Sequence, residues 1–323
     1  MGVDFSCAPS SAKPIMVAWG QRLGGVVKLE RLDSLPTLTD FEALLSSQHP
    51  RTEQGWLGGF DFPFGLPRVF VNALAAHQTA FADLARTANT GTDTDTDTDS
   101  AATQHKSLAP MSDRLIHLLQ KHCQTRKGFQ TLVDQWGSLE GWGVGSRPAK
   151  LPHRHCDTAL PGTSSTSPLQ TRYVPVGKMY FEGLSRLVAA DIALPGLRQA
   201  TSPSLATGAH RLGFEAYPGL LATEVLGKAS YKSDDKASQT ADRLVQRLSL
   251  IDALEQGRTR LGLRLKLSPA QRDHLASDAK GDRLDAVLCM LQAAWGHMRL
   301  AEGDSRCGIP KNIDPVEGWI LTA

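Results

Sequence analysis

The stretch Trp56-Leu57-Gly58-Gly59-Phe60-Asp61-Phe62-Pro63-Phe64-Gly65-Leu66-Pro67 decides how this chain is read. Its apolar first half predicts a buried strand, Trp56 to Phe62, bounded by turn signals. Pro63 and Pro67 fix φ and remove backbone donors, so the chain must leave a sheet there. One carboxylate, Asp61, arrives at the end of that strand. An acid so placed costs desolvation energy unless it is paired, hydrogen-bonded or holding a cation. The start of the chain repeats the pattern, with Asp4 carried on a short strand, Val3 to Ser6. Two such strands point to a site.

The elements around these strands follow from periodicity. Pro14 to Gly20 predicts a second strand. Gly25 to Leu32 predicts a third, alternating Val27, Leu29 and Leu32 against Lys28, Glu30 and Arg31. Thr39 or Asp40 then caps a short helix, Phe41 to Ser47, with Glu42 in its first turn. The opening order is therefore β-β-β-α-β. Helical spacing follows over Arg68 to Ala85, residues 111 to 135 and residues 179 to 194. A brief strand, Gly213 to Tyr217, precedes helices over Gly219 to Leu226, Thr240 to Gly257 and Asp282 to Leu300. Thr92 to Asp99 is a strict Thr-Asp alternation with nothing to bury, which predicts a disordered surface loop. Its acids lack the Gly turn and terminal Glu of an EF-hand calcium loop. The expectation is one α/β domain with a large irregular or helical insertion between about residues 86 and 210.

Composition excludes several classes. A length of 323 residues, 41% hydrophobic and 21% charged, is that of a soluble globular protein. No apolar run reaches the roughly 18 residues that span a bilayer. Met1 leads directly into a strand with no signal-peptide pattern, so a cytoplasmic protein without a membrane partner is expected. A net charge of +2 makes no global case for nucleic acid. The five scattered cysteines contain no CxxC pair, so neither a disulfide framework nor a zinc ribbon is indicated.

The candidate catalytic set is Asp4, Asp61, Glu215, Asp282 and Asp285. Asp4, Asp61 and Glu215 sit on predicted strands. Asp282 and Asp285 are three apart at a helix start, where they share a face and the helix dipole tolerates negative charge. Ala286 to Leu291 is apolar nearly all round, so this helix is expected to dock directly on a sheet. Clustered acids must raise their pKa values or share cations, and Mg²⁺ or Mn²⁺ prefers such oxygen ligands. Two ions about 4 Å apart can activate a water and stabilise the leaving oxygen of a phosphodiester. Plainer roles stay open for each acid. Asp4 can bond amides of the Ser6 to Ser11 turn, and Asp61 can simply form the turn before Pro63. Asp282 can be an N-cap, Asp285 can pair with Arg283 or Arg299, and Glu215 can pair with Lys228 or Lys232.

The chain resembles the domain-of-unknown-function 429 family, described as predicted RNase H-like nucleases. The resemblance rests on Gly2-Val3-Asp4, Phe60 to Pro67, Phe214-Glu215-Ala216-Tyr217-Pro218, and Asp282-Arg283-Leu284-Asp285-Ala286 with the closing Glu317-Gly318-Trp319-Ile320. It implies an RNase H-like mixed sheet flanked by helices. It also implies metal-dependent hydrolysis of phosphodiester bonds in nucleic acid or a nucleotide, by a two-metal-type mechanism. In the wider superfamily, which includes RuvC-type resolvases, the metal-binding acids lie on the first strand, the fourth strand and the final helix. Those roles carry over to Asp4, Asp61, Asp285 and Asp282. The alternatives are a non-catalytic nucleic-acid or nucleotide-binding module of the same fold, and an actin-like phosphotransferase or ATPase. The second lacks the Gly-rich phosphate hairpins it needs.

Substrate phosphate is assigned to Lys232 and Arg154. The basic loop from Arg147 to Arg154, with Trp136 and Trp142 nearby, offers charge and stacking rings. His153-Arg154-His155-Cys156-Asp157 has ligand residue types but no recognised zinc spacing.

Overall fold

The computed structural model describes residues 1–46, 55–85, 109–139, 151–159, 165–200 and 211–323. The Thr-Asp repeat, Arg147, Lys150 and Trp142 lie outside the described residues.

Six strands make one mixed sheet. In chain order they are β1 (Gly2–Asp4), β2 (Ile15–Leu23), β3 (Val26–Leu35), β4 (Trp56–Phe60), β5 (Arg211–Glu215) and β6 (Arg264–Lys266). Across the sheet the order is β5-β4-β1-β2-β3-β6. The β1-β2 and β2-β3 pairs are antiparallel, while β1-β4, β4-β5 and β3-β6 are parallel. Helix α1 (Leu38–Leu45) joins β3 to β4. Helices α2 (Arg68–His77), α3 (Ala82–Ala85), α4 (Met111–Cys123), α5 (Arg126–Leu139) and α6 (Val176–Ala189) follow β4. Beyond β5 come α7 (Pro218–Leu226), α8 (Ala241–Glu255), α9 (Pro269–Ser277) and α10 (Asp282–Ala301).

Side-chain parity sorts the strands between two cores. Val3, Ile15, Val17 and Phe60 face one cluster, shared with Phe41 of α1, Leu115 and Ile116 of α4, Phe129 of α5, and Tyr180 and Phe181 of α6. The helices of the predicted insertion thus cover one face of the sheet. Met16, Ala18, Val27 and Leu29 face the other cluster, with Leu250 of α8, Leu275 of α9 and Val287 of α10.

Helix α10 lies against backbone, and glycine is the reason. Gly2 and Gly59 are register partners across β1 and β4. A Cβ on Gly2 would sit 2.0 Å from the Met290 amide nitrogen, and one on Gly59 would sit 2.3 Å from the Cys289 carbonyl oxygen. The two glycines form a bare bed on which α10 rests closer than any side chain allows.

Several predicted boundaries shift. The helix predicted over Arg68 to Ala85 breaks after His77, and the one over 111 to 135 splits at Gln124, whose φ is +60°. Helix α1 begins three residues early, because Thr37 accepts from the Asp40 amide and Asp40 reaches back to Thr37. Strand β6 and helix α9 lie outside the elements that the sequence predicts. Three residues with Leu265 alone buried carry too little periodicity to read. None of the described helices is long and apolar enough to cross a membrane.

Candidate metal centre

Strand direction and parity assemble the site. In the β1-β4 pairing Val3 stands opposite Phe60, and the Asp61 amide donates to the Val3 carbonyl at 2.9 Å. One further step along these parallel strands sets Asp4 beside Asp61 at the same sheet edge. Both lie at the parity of Gly2 and Gly59, so both point toward α10. That helix enters over this edge through Gly281, whose φ of +76° favours a residue without Cβ. Asp285 follows one turn in. Ligand oxygens of Asp4, Asp61 and Asp285 all lie within 4.8 Å of one another.

The electrostatics reflect that crowding. Burial, then Asp285 and Asp61, push the Asp4 carboxyl well above the ordinary carboxylate range. Burial and the Asp285 charge raise Asp61 to about 7. Asp285 is fully buried, and both its oxygens are held. Oδ1 accepts from the Tyr231 hydroxyl, and Oδ2 accepts from the Lys232 ammonium. Burial works against the charge on Lys232, but Asp285, Tyr231 and Asp4 outweigh it and hold its pKa well above the ordinary value. One ammonium therefore stands among three carboxyl groups.

The other predicted residues are placed differently. Asp282 opens α10 but lies outside the converging group. Its pKa is raised by burial, offset by Lys13 and raised further by Asp278. Gly281, not Asp282, occupies the N-cap position. Glu215 is engaged elsewhere: its Oε1 accepts from Arg154 Nη2 at 2.5 Å, and its Oε2 from Arg154 Nη1 and the Phe64 amide, each at 2.8 Å. Arg154 is 2% exposed and also binds Asp157 and the Glu317 carbonyl, so all five of its N–H donors are used. It has none left for a substrate phosphate. The Arg154-Glu215 pair is not legible in the sequence, because its partners are 61 residues apart and no local pattern links them.

The motifs behind the family resemblance meet in space. Gly65 packs on Glu317, where a Cβ would lie 2.2 Å from the carbonyl oxygen. The Leu66 amide donates to the Val316 carbonyl, and the Glu317 carboxylate accepts from the Arg68 and His155 amides. The proline turn after β4 is thereby clamped by the closing segment. Trp136, a candidate stacking ring, is only 2% exposed, in the core against His77. His153 and His155 are exposed while Cys156 is buried. Among the described residues, the group that can hold a metal is Asp4, Asp61 and Asp285. All five cysteines are free thiols, and Cys7 has its pKa raised by burial, which disfavours a nucleophilic thiolate.

Comparison with protein-family models, with curated proteins and with solved structures finds no match to this chain.

Proposed function

We propose that this chain is a divalent-metal-dependent phosphodiesterase on an RNase H-like scaffold. The scaffold reading is supported by three antiparallel strands followed by a helix and two parallel strands on the other side of β1. The observation that carries the activity is the meeting of three carboxylates, from β1, the end of β4 and α10, within 4.8 Å. A structural role for one acid explains one position, whereas three acids on separate elements repel each other and are held together against that cost.

The residues suit a hard cation. Three carboxyl oxygens face one another with a single ammonium among them, and two of the acids are held above their ordinary pKa values. Asp4, Asp61 and Asp285 would hold Mg²⁺ or Mn²⁺. Ions held there would supply an activated water and stabilise charge on the leaving oxygen. Asp4 and Asp61 give up their protons on loading, so occupancy rises with pH. Tyr231 and Lys232 lock the orientation of Asp285. Lys232 stays charged and adds positive potential toward an incoming phosphate.

The test is Mn²⁺ titration followed by melting temperature, with cleavage assays on single-stranded, duplex and branched DNA and RNA. Wild type is stabilised by Mn²⁺ and cleaves, while Asp4→Asn does neither. Equal cleavage by Asp4→Asn, or no Mn²⁺ effect on melting of the wild type, overturns the reading.

A further inference from the structure

A cavity of about 630 Å³ opens beside the acid triad, with Asp61 and Lys232 in its wall. The sequence assigns substrate phosphate to Lys232 and Arg154, and both line this cavity, a shaped, half-apolar receptor next to the carboxylates. We infer that it receives one nucleoside unit of the substrate, with the attached phosphate directed at Asp4, Asp61 and Asp285. The inference rests on the phosphodiesterase reading and narrows its substrate. The cleaved bond then belongs to an unstacked nucleotide, at a chain end or in a single strand, and not to one stacked within a duplex.

Three features of the wall carry this. Its volume falls within the roughly 300–1,000 Å³ of small-ligand sites, which admits a single splayed nucleotide but not a double helix. Enzymes that act on one unit of a duplex must first take it out of the stack into such a pocket. Part of the wall is apolar and aromatic, with Val176, Met179 and the half-buried Tyr217 ring. That ring packs on Gly219, where a Cβ would lie 2.5 Å from the ring. A flat aromatic in the wall can stack on any base. The wall also carries Lys228 and Lys232. Lys228 is exposed and makes no ion pair among the described residues, so its charge is free to meet an anion. The buried Arg154-Glu215 pair also lines the cavity, with its hydrogen bonds spent within the protein.

The experiment is isothermal titration of the full chain in EDTA with AMP, UMP, ribose 5-phosphate and inorganic phosphate. Two variants accompany it: Tyr217→Ala, which removes the ring, and Thr223→Phe, which fills the cavity from α7 without touching the triad. AMP and UMP bind wild type at least about fivefold more tightly than ribose 5-phosphate or phosphate, and each variant removes that preference. Both variants keep the Mn²⁺ shift in melting temperature, which shows that they are folded and that the triad is intact. Equal binding of phosphate and AMP by wild type overturns the inference without needing a variant. Undiminished AMP binding by both folded variants overturns it as well. Absence of a Mn²⁺ shift in wild type with AMP binding intact refutes the metal reading alone and leaves the nucleotide receptor standing.

Discussion

Asp61→Asn is expected to make the metal-free protein more stable, and by an amount that depends on pH. Burial and Asp285 raise the Asp61 carboxyl from an ordinary 3.8 to about 7 in the folded chain. The folded state favours the protonated acid and the unfolded state favours the carboxylate. Asp61 therefore opposes folding increasingly as pH climbs from 3.8 to about 7, with no further change above that. About three pKa units at 1.36 kcal/mol each put the cost on the order of 4 kcal/mol at pH 8 and about 1 kcal/mol at pH 4.5. An asparagine keeps the shape and carries no charge, so the variant recovers up to that amount. For 323 residues, an unfolding entropy of about 2.1 cal/mol/K per residue converts this to a rise of about 6 °C at pH 8 and about 1–2 °C at pH 4.5. The assay is thermal unfolding followed by circular dichroism in EDTA at both pH values, repeated with Mn²⁺. At one hundred times its dissociation constant, Mn²⁺ is expected to stabilise wild type by about 2.7 kcal/mol, or roughly 4 °C, and to do far less for the variant. A variant that melts below wild type equally at both pH values would refute the account of the site as a strained acid cluster. A retained Mn²⁺ shift would refute the role of Asp61 as a ligand.

Lys232→Met leaves the buried Asp285 without its cation. Because the lysine side chain is 42% exposed, the loss should be about 1–3 kcal/mol in EDTA, below that of a fully buried pair. Added Mn²⁺ should recover more stability than it adds to wild type, as read by urea unfolding with and without the ion. Arg154→Met strands Glu215 and Asp157, both under 5% exposed, and should cost about 3–5 kcal/mol in urea unfolding. Arg154→Lys should restore little of this, because an ammonium cannot fork between two carboxylates. Gly59→Ala sets a methyl 2.3 Å from the Cys289 carbonyl and must lift α10 off the sheet. A loss of about 1–3 kcal/mol or more is expected in thermal unfolding. The Mn²⁺ shift should shrink too, because Asp285 moves away with its helix.

Local pattern alone located much of this molecule. The alternation in Gly25 to Leu32, the apolar run at Trp56 and the all-round apolar face after Asp285 are short-range signals. They order most of the elements, β6 and α9 excepted, and mark Asp4, Asp61 and Asp285 as candidates. They were not enough for boundaries such as the break after His77, where tertiary packing outweighs helical spacing. Nor could they separate acids of the same kind. Glu215 and Asp61 both end strands in apolar surroundings, yet one is neutralised by Arg154 and the other faces two more carboxylates. That difference is made by contacts 57 or more residues apart, which depend on the sheet register and on where the turn after β4 is clamped by the closing segment. Gly58-Gly59 shows the same division: the residues are plain in the sequence, while their use as a bed for α10 exists only once Gly2 stands opposite Gly59. Period and turn chemistry are local, so many of the strand ends and helix starts are legible along the chain. Which of those ends meet is set by charge and packing between elements that the chain order does not bring together.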